Sequence, residues 1–244
     1  MTVSTRRVLV VMPALNEQGS VASVVAHVRT SVPEADVLVV DDGSSDDTGK
    51  LARRAGAEVA RLAVNLGVGG AMRTGFRYAL ARGYDVVIQV DADGQHDPDE
   101  LTSLLAALQD ADIVIGSRFG GKGVYRARGP RRYAMVVLSL VFSCLAKTKL
   151  TDVTSGFKAM GPRAIRLFAG YYPAEYLGDT VESLVMAIRA GLKIKEVPVL
   201  MRERAAGRPS HSPVRSAVYL GRAGLALLLA LIRRRPAADS SDSA

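Results

Sequence analysis

The chain has 244 residues, 48% hydrophobic and 23% charged, a composition ordinary for a soluble globular protein and a length sufficient for a substantial core in one large domain or two small ones. Its single cysteine, Cys144, excludes an internal disulfide framework and fits a reducing cytoplasm. The net charge of +8 is divided unevenly: residues 1–117 hold 10 Lys/Arg against 16 Asp/Glu, so 118–244 carry an excess of 14 positive charges.

Residues Met1 to Arg7 are polar and the apolar stretch that follows, Val8–Met12, is only strand-long, so no secretory signal is expected. Val8–Met12 and Val37–Val40 are β-branched runs that end at Pro13 and at the turn Asp41-Asp42-Gly43-Ser44. Val86–Val90 and Ile113–Ile115 repeat the pattern and end at Asp91 and Gly116. Helices are expected over 20–30, 47–55, 70–82 and 99–108. Strands alternating with helices of that length predict an α/β chain whose mostly parallel, Rossmann-like sheet is covered on both faces. Ligands of such sheets bind beyond the carboxyl ends of the strands, where the acidic turns stand. Asn65-Leu66-Gly67-Val68-Gly69-Gly70-Ala71 is a glycine-rich turn opening a helix. Its spacing does not fit Gly-x-Gly-x-x-Gly and no strand directly precedes it, which leaves a close backbone approach to a ligand or a plain helix N-terminus.

After residue 117 the alternation breaks. Arg118, Lys122, Arg126, Arg128, Arg131 and Arg132 form a basic run without an acid. Such a run is a solvated loop or a site for anionic headgroups or a phosphorylated substrate. The nearby aromatics Phe119, Tyr125 and Tyr133 have no stacking pattern, so nucleic acid is not expected as a partner. Ala134–Ala146 is nearly all apolar, with Ser139 and Ser143 its only polar residues. It falls short of the roughly 20 residues of a membrane span, which leaves a buried helix or one lying at a membrane surface. A second apolar helix, Leu225–Ile232, precedes Arg233-Arg234-Arg235-Pro236, and the small polar residues to Ala244 read as a disordered tail. The expected organisation is a main domain over 1–212, C-terminal amphipathic or interfacial helices over 213–235 and a tail over 236–244.

Asp91-Ala92-Asp93 closes the apolar run Val86–Val90 with two carboxylates around one small residue. That arrangement seats a divalent cation which also holds a diphosphate, because Mg²⁺ and Mn²⁺ take oxygen ligands and keep positions open for phosphate oxygens. The motif continues as Gly94-Gln95-His96-Asp97-Pro98. Together with Asp41-Asp42-Gly43-Ser44, it resembles the family 2 (GT-A fold) glycosyltransferases, and within them the dolichyl- or polyprenyl-phosphate sugar synthases, over about residues 8–210.

The resemblance implies roles for individual residues. Pro13-Ala14-Leu15-Asn16-Glu17 matches the opening segment, whose backbone and Glu contact the nucleotide. Val40, Asp41 and Asp42 match the segment that holds base and ribose, a task suited to carboxylates that accept from an imino N–H or a hydroxyl. Asp93 is implied as the main metal ligand, with Asp91, Ala92 and Gln95 close to the metal or the donor, and Mg²⁺ or Mn²⁺ as cofactor. Arg118, after Gly116-Ser117, and a second arginine about fourteen residues on meet the acceptor phosphate; Arg132 stands there with Arg131 adjacent, and the choice between them is open. Asp152-Val153-Thr154-Ser155-Gly156-Phe157 matches a segment near the acceptor. Arg204-Ala205-Ala206-Gly207-Arg208-Pro209-Ser210 matches a mobile Arg-x-x-Gly-x-Ser loop over the phosphates, with Pro209 lengthening the spacing by one. His96 and His211 are too poor in partner ligands for a zinc site, and His27 reads as structural.

The implied reaction is an inverting transfer of a sugar from a GDP- or UDP-linked donor to a polyprenyl phosphate. A hydroxyl acceptor in polysaccharide or glycolipid synthesis is the alternative; it requires a base, for which Asp152 and Asp179 are candidates. Relatives that use hydroxyls carry Glu-Asp and Trp-containing motifs that this chain lacks, which favours the phosphate. A binding module without turnover is the remaining class. The expected location is cytoplasmic, peripheral on an anionic inner face of the plasma membrane, with room for a separate membrane partner protein.

Overall fold

The computed structural model describes residues 6–118, 130–173 and 179–202, with side chains at 130–134 and 179 excepted. Its centre is a seven-stranded sheet in the order β3-β2-β1-β4-β6-β5-β7, formed by β1 (Val8–Ala14), β2 (Asp36–Asp41), β3 (Glu58–Arg61), β4 (Val86–Gln89), β5 (Ile113–Ser117), β6 (Lys158–Met160) and β7 (Ile194–Pro198). β1 pairs in parallel with β2 and β4, β2 with β3, and β5 with β7, whereas β6 runs antiparallel between β4 and β5. All seven residues of β1 are buried, as an apolar run flanked by two strands and covered on both faces requires.

The period of two along the strands sorts side chains between two cores. Leu9, Val11, Leu38 and Ile115 face one side, where α3 (Gly67–Arg82), α5 (Pro130–Ala146), α6 (Pro162–Gly170) and α7 (Asp179–Arg189) pack with Met72, Phe76, Phe142, Phe168 and Val181. Val10, Met12, Val39 and Ile88 face the other, covered by α1 (Val21–Ser31), α2 (Thr48–Arg54) and α4 (Leu101–Ala107) with Val25, Val28, Ala52 and Leu104. The expected parallel sheet with helices on both faces is the observed one.

The three strands absent from the sequence reading are those with the weakest apolar signal. β3 is a four-residue edge strand bounded by Glu58 and Arg61, β6 has three residues, and β7 is an edge strand carrying Lys195 and Glu196. β3 also changes the setting of the glycine-rich turn, which follows a strand after three intervening residues. The helix behind it begins at Gly67, three residues before the expected start, and α5 begins at Pro130, where proline suits the first turn. One side of α5 (Met135, Leu138, Phe142) is buried, while Val136, Val137 and Leu140 are exposed. The helix therefore has the core face of the buried-helix reading and, in addition, an outward apolar face. Among the described residues no helix is long and apolar enough to cross a membrane. The expected boundaries at 212 and 235, and the tail, lie outside the described residues.

Turns at the amino edge of the sheet are short: Gly83 links α3 to β4 and Gly191 links α7 to β7, both with positive φ. A Cβ at Gly191 would meet nothing within 4 Å. Gly75 is the opposite case. A Cβ there would stand 2.4 Å from Val11 Cγ1 and 2.9 Å from Cγ2, so α3 lies against β1 only because position 75 has no side chain. Gly75→Val should lower the unfolding free energy by about 2 kcal/mol or more, since β-branched Val11 in the central strand cannot yield. Gly170→Ala, at the end of α6 where an added Cβ would meet nothing within 4 Å, should be neutral or stabilising by up to about 1 kcal/mol. Urea denaturation of both variants checks the contrast; equal effects would refute it.

Candidate active site at the carboxyl edge of the sheet

β1, β2, β4 and β5 deliver their carboxyl ends to one edge, and each loop there is tied by side chain to main chain. After β1, Asn16 adopts φ 56° and its Oδ1 accepts from Ser45 N–H at 2.9 Å, while its own N–H donates to Ser44 Oγ at 3.0 Å. Glu17 N–H donates to Thr48 Oγ1 at 2.8 Å. The Pro13–Glu17 and Val40–Ser44 segments are thereby stitched together, as the sequence motifs require if they serve one ligand.

Asp41 and Asp42 are both buried. Asp41 Oδ1 accepts from Ser44 N–H at 2.9 Å, and Oδ2 stands 3.7 Å from Arg61 Nε. Asp42 divides its oxygens between Leu66 N–H at 2.7 Å and Gly67 N–H at 2.8 Å, which makes it the cap of α3. Burial pushes the Asp42 carboxyl above its ordinary range, against the pull of those two N–H groups and with the neighbouring Asp41 charge adding to the rise. Asp42, 24 positions before Leu66, shares Gly67 N–H with the local Asn65 Oδ1 at 2.9 Å, so Asn65 is the part of this cap that the local sequence carries. Gly43 takes φ 76°, and a Cβ would lie 3.2 Å from Asn65 N; the turn thus admits the 64–67 backbone to the Asp42 carboxylate.

At the end of β4, Asp91 is partly exposed and Asp93 buried, with Gln95 exposed beside them. Asp93 Oδ1 accepts from Gln95 N–H at 2.9 Å. His96 accepts at Nδ1 from Asp91 N–H at 2.9 Å, which assigns the ring proton to Nε2, 3.5 Å from Asp91 Oδ2. Its ring stacks on Phe157 at 4.7 Å and 11°. His96 thus holds the main chain of Asp91 and stands beside its carboxylate, a role that no spacing rule in the sequence indicated. Asp91, Asp93 and Gln95 offer side-chain oxygens, the ligand chemistry that suits Mg²⁺ or Mn²⁺.

His27, Asp97 and Asp99 also converge, but a guanidinium lies among them. Arg202 Nε is 2.9 Å from Asp97 Oδ2 and Nη2 is 3.6 Å from Asp99, and His27 Nε2 meets Asp99 at 2.9 Å. His27 is thus engaged with Asp99, which ties α1 to the segment after the Asp91–Asp97 loop. Met201 forms an isolated bridge with His96, and Arg202 N–H donates to Gln95 O at 2.9 Å, so the chain leaving β7 passes beside the Asp91–Gln95 loop.

Arg118 follows β5 directly. Its N–H, Nε and Nη2 donate to Asp152 at 3.1, 2.7 and 2.7 Å, and Nη2 also donates to Thr154 Oγ1 at 2.9 Å. Asp152 is 0% exposed and the Arg118 side chain 20% exposed. Gly156 carries this segment into the Asp91 loop: a Cβ there would lie 3.1 Å from Gln89 Nε2, 3.5 Å from Asp91 Oδ2 and 3.6 Å from His96 Cε1. The structure therefore joins Asp91, His96, Gly156, Asp152 and Arg118 in one continuous set of contacts. The side chains of Arg131 and Arg132, and the loop with Arg204, lie outside the described residues.

Comparison with known proteins gives three kinds of finding. Residues 9–166 match the family model "Glycosyl transferase family 2". The undecaprenyl-phosphate mannosyltransferase of Micrococcus luteus is 40% identical over 84% of this chain and 88% of its own length. The polyprenol monophosphomannose synthase of Mycolicibacterium smegmatis is 34% identical over 88% and 85%. Among solved structures, glucosyl-3-phosphoglycerate synthase from Mycobacterium tuberculosis, in complex with Mn²⁺, UDP and glucosyl-3-phosphoglycerate, superposes with a TM-score of 0.71 at 22% identity, over 94% of this chain and 81% of that one. This last likeness establishes the fold.

The Arg118–Asp152 pair generates a stability prediction. Removing the cation strands a fully buried carboxylate, so Arg118→Ala should cost about 3–5 kcal/mol. The double variant Arg118→Ala/Asp152→Ala should be more stable than Arg118→Ala alone. Urea melts of the two measure this, and a double variant less stable than the single one would contradict the buried-pair account.

Proposed function

The chain belongs to glycosyl transferase family 2 and is a hexosyltransferase, and we propose that it moves the sugar of a nucleotide-diphosphate donor to a polyprenyl phosphate. The observation that carries the choice of acceptor is the state of Asp152. A hydroxyl acceptor needs a base, and this fully buried carboxylate instead accepts three bonds from the partly exposed Arg118. A phosphate acceptor already holds its nucleophilic charge and needs a cation to orient it, which Arg118 supplies at the mouth of β5. The names of the Micrococcus and Mycolicibacterium relatives support the same acceptor class.

The donor nucleotide lies between the Pro13–Glu17 and Val40–Ser44 segments, with the backbone at Pro13, Ala14 and Asn16 and the Glu17 carboxylate in contact. Asp41 Oδ2, too far from Arg61 at 3.7 Å for a hydrogen bond, is the acceptor for a base N–H or a ribose hydroxyl. Asp42 acts from behind by fixing the start of α3. Asp91, Asp93 and Gln95 would hold Mg²⁺ or Mn²⁺, the ions present in complexes of the structural neighbour; the ion would neutralise charge on the diphosphate. His96 keeps Asp91 in place. A phosphate oxygen of the acceptor attacks the anomeric carbon opposite the diphosphate, the new C–O bond forms as the old one breaks, and the centre inverts. Arg118, with Arg131 or Arg132, orients the acceptor, and Arg204 meets the phosphates.

Asp93→Ala should abolish transfer while the fold persists. Extraction of radiolabelled glycosyl polyprenyl phosphate from a reaction with polyprenyl phosphate, UDP- or GDP-sugars and Mg²⁺ or Mn²⁺ measures this; undiminished product with the variant, or in chelator, sinks the metal assignment.

The outward face of α5, with Val137 58% and Leu140 65% exposed, meets the bilayer that carries such an acceptor, and the basic run before it meets anionic headgroups. Sedimentation with anionic vesicles should fall as salt rises and fall further in Leu140→Glu, by at least about tenfold in partition given the cost of a charge at an apolar boundary. Binding indifferent to lipid charge, salt and Leu140 would exclude this orientation.

A further inference from the structure

We propose that Glu196 is a positioning residue for acceptor binding, acting through the main chain of Thr151 and Asp152 on the guanidinium of Arg118. The inference rests on the reading of Arg118 as the acceptor cation. Glu196 stands on β7, the edge strand, where a carboxylate would ordinarily face water. Its neighbour Lys195 pairs with exposed Asp110. Glu196, partly buried, behaves differently. Its Oε2 accepts from Thr151 N–H at 2.6 Å and from Asp152 N–H at 3.0 Å, and its Oε1 accepts from the Thr151 hydroxyl.

Strand register explains the meeting. Glu196 pairs with Ile115 and so shares a face with Ser117, whose Oγ lies 3.0 Å from Thr151 Oγ1. From the helix side, Ser139 Oγ donates to Thr151 O at 2.9 Å, and Ser143 Oγ accepts from Leu150 N–H at 2.9 Å. The 150–152 turn is thus held by β5, β7 and α5 together, and Glu196 supplies the anionic part of that hold. The next link is Asp152, whose two oxygens accept the Nε and Nη2 edge of Arg118 at 2.7 Å each. A bidentate fork tolerates little displacement, so the position of the Asp152 main chain sets the direction of the guanidinium.

Two variants separate positioning from charge. Glu196→Ala leaves the Thr151 and Asp152 N–H groups without their acceptor. In Glu196→Gln the amide oxygen can take both N–H groups, and its NH₂ can donate to Thr151 Oγ1, which turns its proton to Ser117. With the full chain, Glu196→Ala should raise KM for polyprenyl phosphate by about tenfold or more and leave KM for the donor unchanged, and Glu196→Gln should restore most of that loss. A second readout does not depend on the acceptor: in protein labelled with ¹⁵N-arginine, the Arg118 Nε–H signal, assigned by its loss in Arg118→Lys, should exchange slowly with water in the wild type and in Glu196→Gln and fast in Glu196→Ala. If Glu196→Ala does not fold, Glu196→Asp, which withdraws the carboxylate by one methylene, carries the same expectation. Slow exchange persisting in the Ala or Asp variant, or an equal rise in both KM values, overturns the proposal. If the wild type forms no glycosyl polyprenyl phosphate, the acceptor reading fails by itself, and the Arg118 signal still decides the role of Glu196.

Discussion

Carboxylates that accept main-chain N–H groups hold the carboxyl edge of this sheet. Asp41 takes Ser44, Asp42 takes Leu66 and Gly67, Asp93 takes Gln95, Asp97 takes Asp99, Glu100 takes Leu200, Asp152 takes Arg118, and Glu196 takes Thr151 and Asp152. Loops at strand ends leave N–H groups without ladder partners, and a buried unpaired donor is costly. A short anionic side chain answers that need with a strong bond and without bulk. The same groups give the edge its charge, so one set of residues both shapes the loops and supplies the negative field on which the proposed cation site depends.

The acidic excess of residues 1–117 and the basic excess beyond them acquire a structural meaning on this view. The first half contributes β1 to β5 and the loops proposed to hold donor and metal. The second half begins at Arg118, directly after β5, and contributes β6, β7 and the outward face of α5. The proposed donor and acceptor halves meet at Gly156, where an added Cβ would crowd Gln89, Asp91 and His96. Two anionic reactants repel each other, and a site whose two sides carry different groups can bring them together.

Much of this was legible in the residues. Apolar runs ending in Asp41 and Asp91 marked both the strands and the edge at which they stop, because a buried parallel strand has a continuous apolar signal. Asp152 and Arg118 were recognisable by motif, but their pairing was not. What remained hidden depends on contacts between distant residues: the capping of α3 by Asp42, the hold of His96 on Asp91, and the reach of Glu196 across to Thr151. Short strands such as Lys158–Met160 exist because neighbours on both sides pair with them, and three residues carry no period of their own.

The two rims of the sheet consequently differ in how they tolerate a change of chain length. An inserted residue in the Asp91–Asp97 or Thr151–Gly156 loop would shift several long-range bonds at once. The Gly191 turn between α7 and β7 lies at the far rim and faces open space. Loop tips of that kind accept inserted sequence most readily. It is therefore the natural place to graft an epitope or a fluorophore handle, leaving the chemical edge and the outward face of α5 clear for work on vesicles.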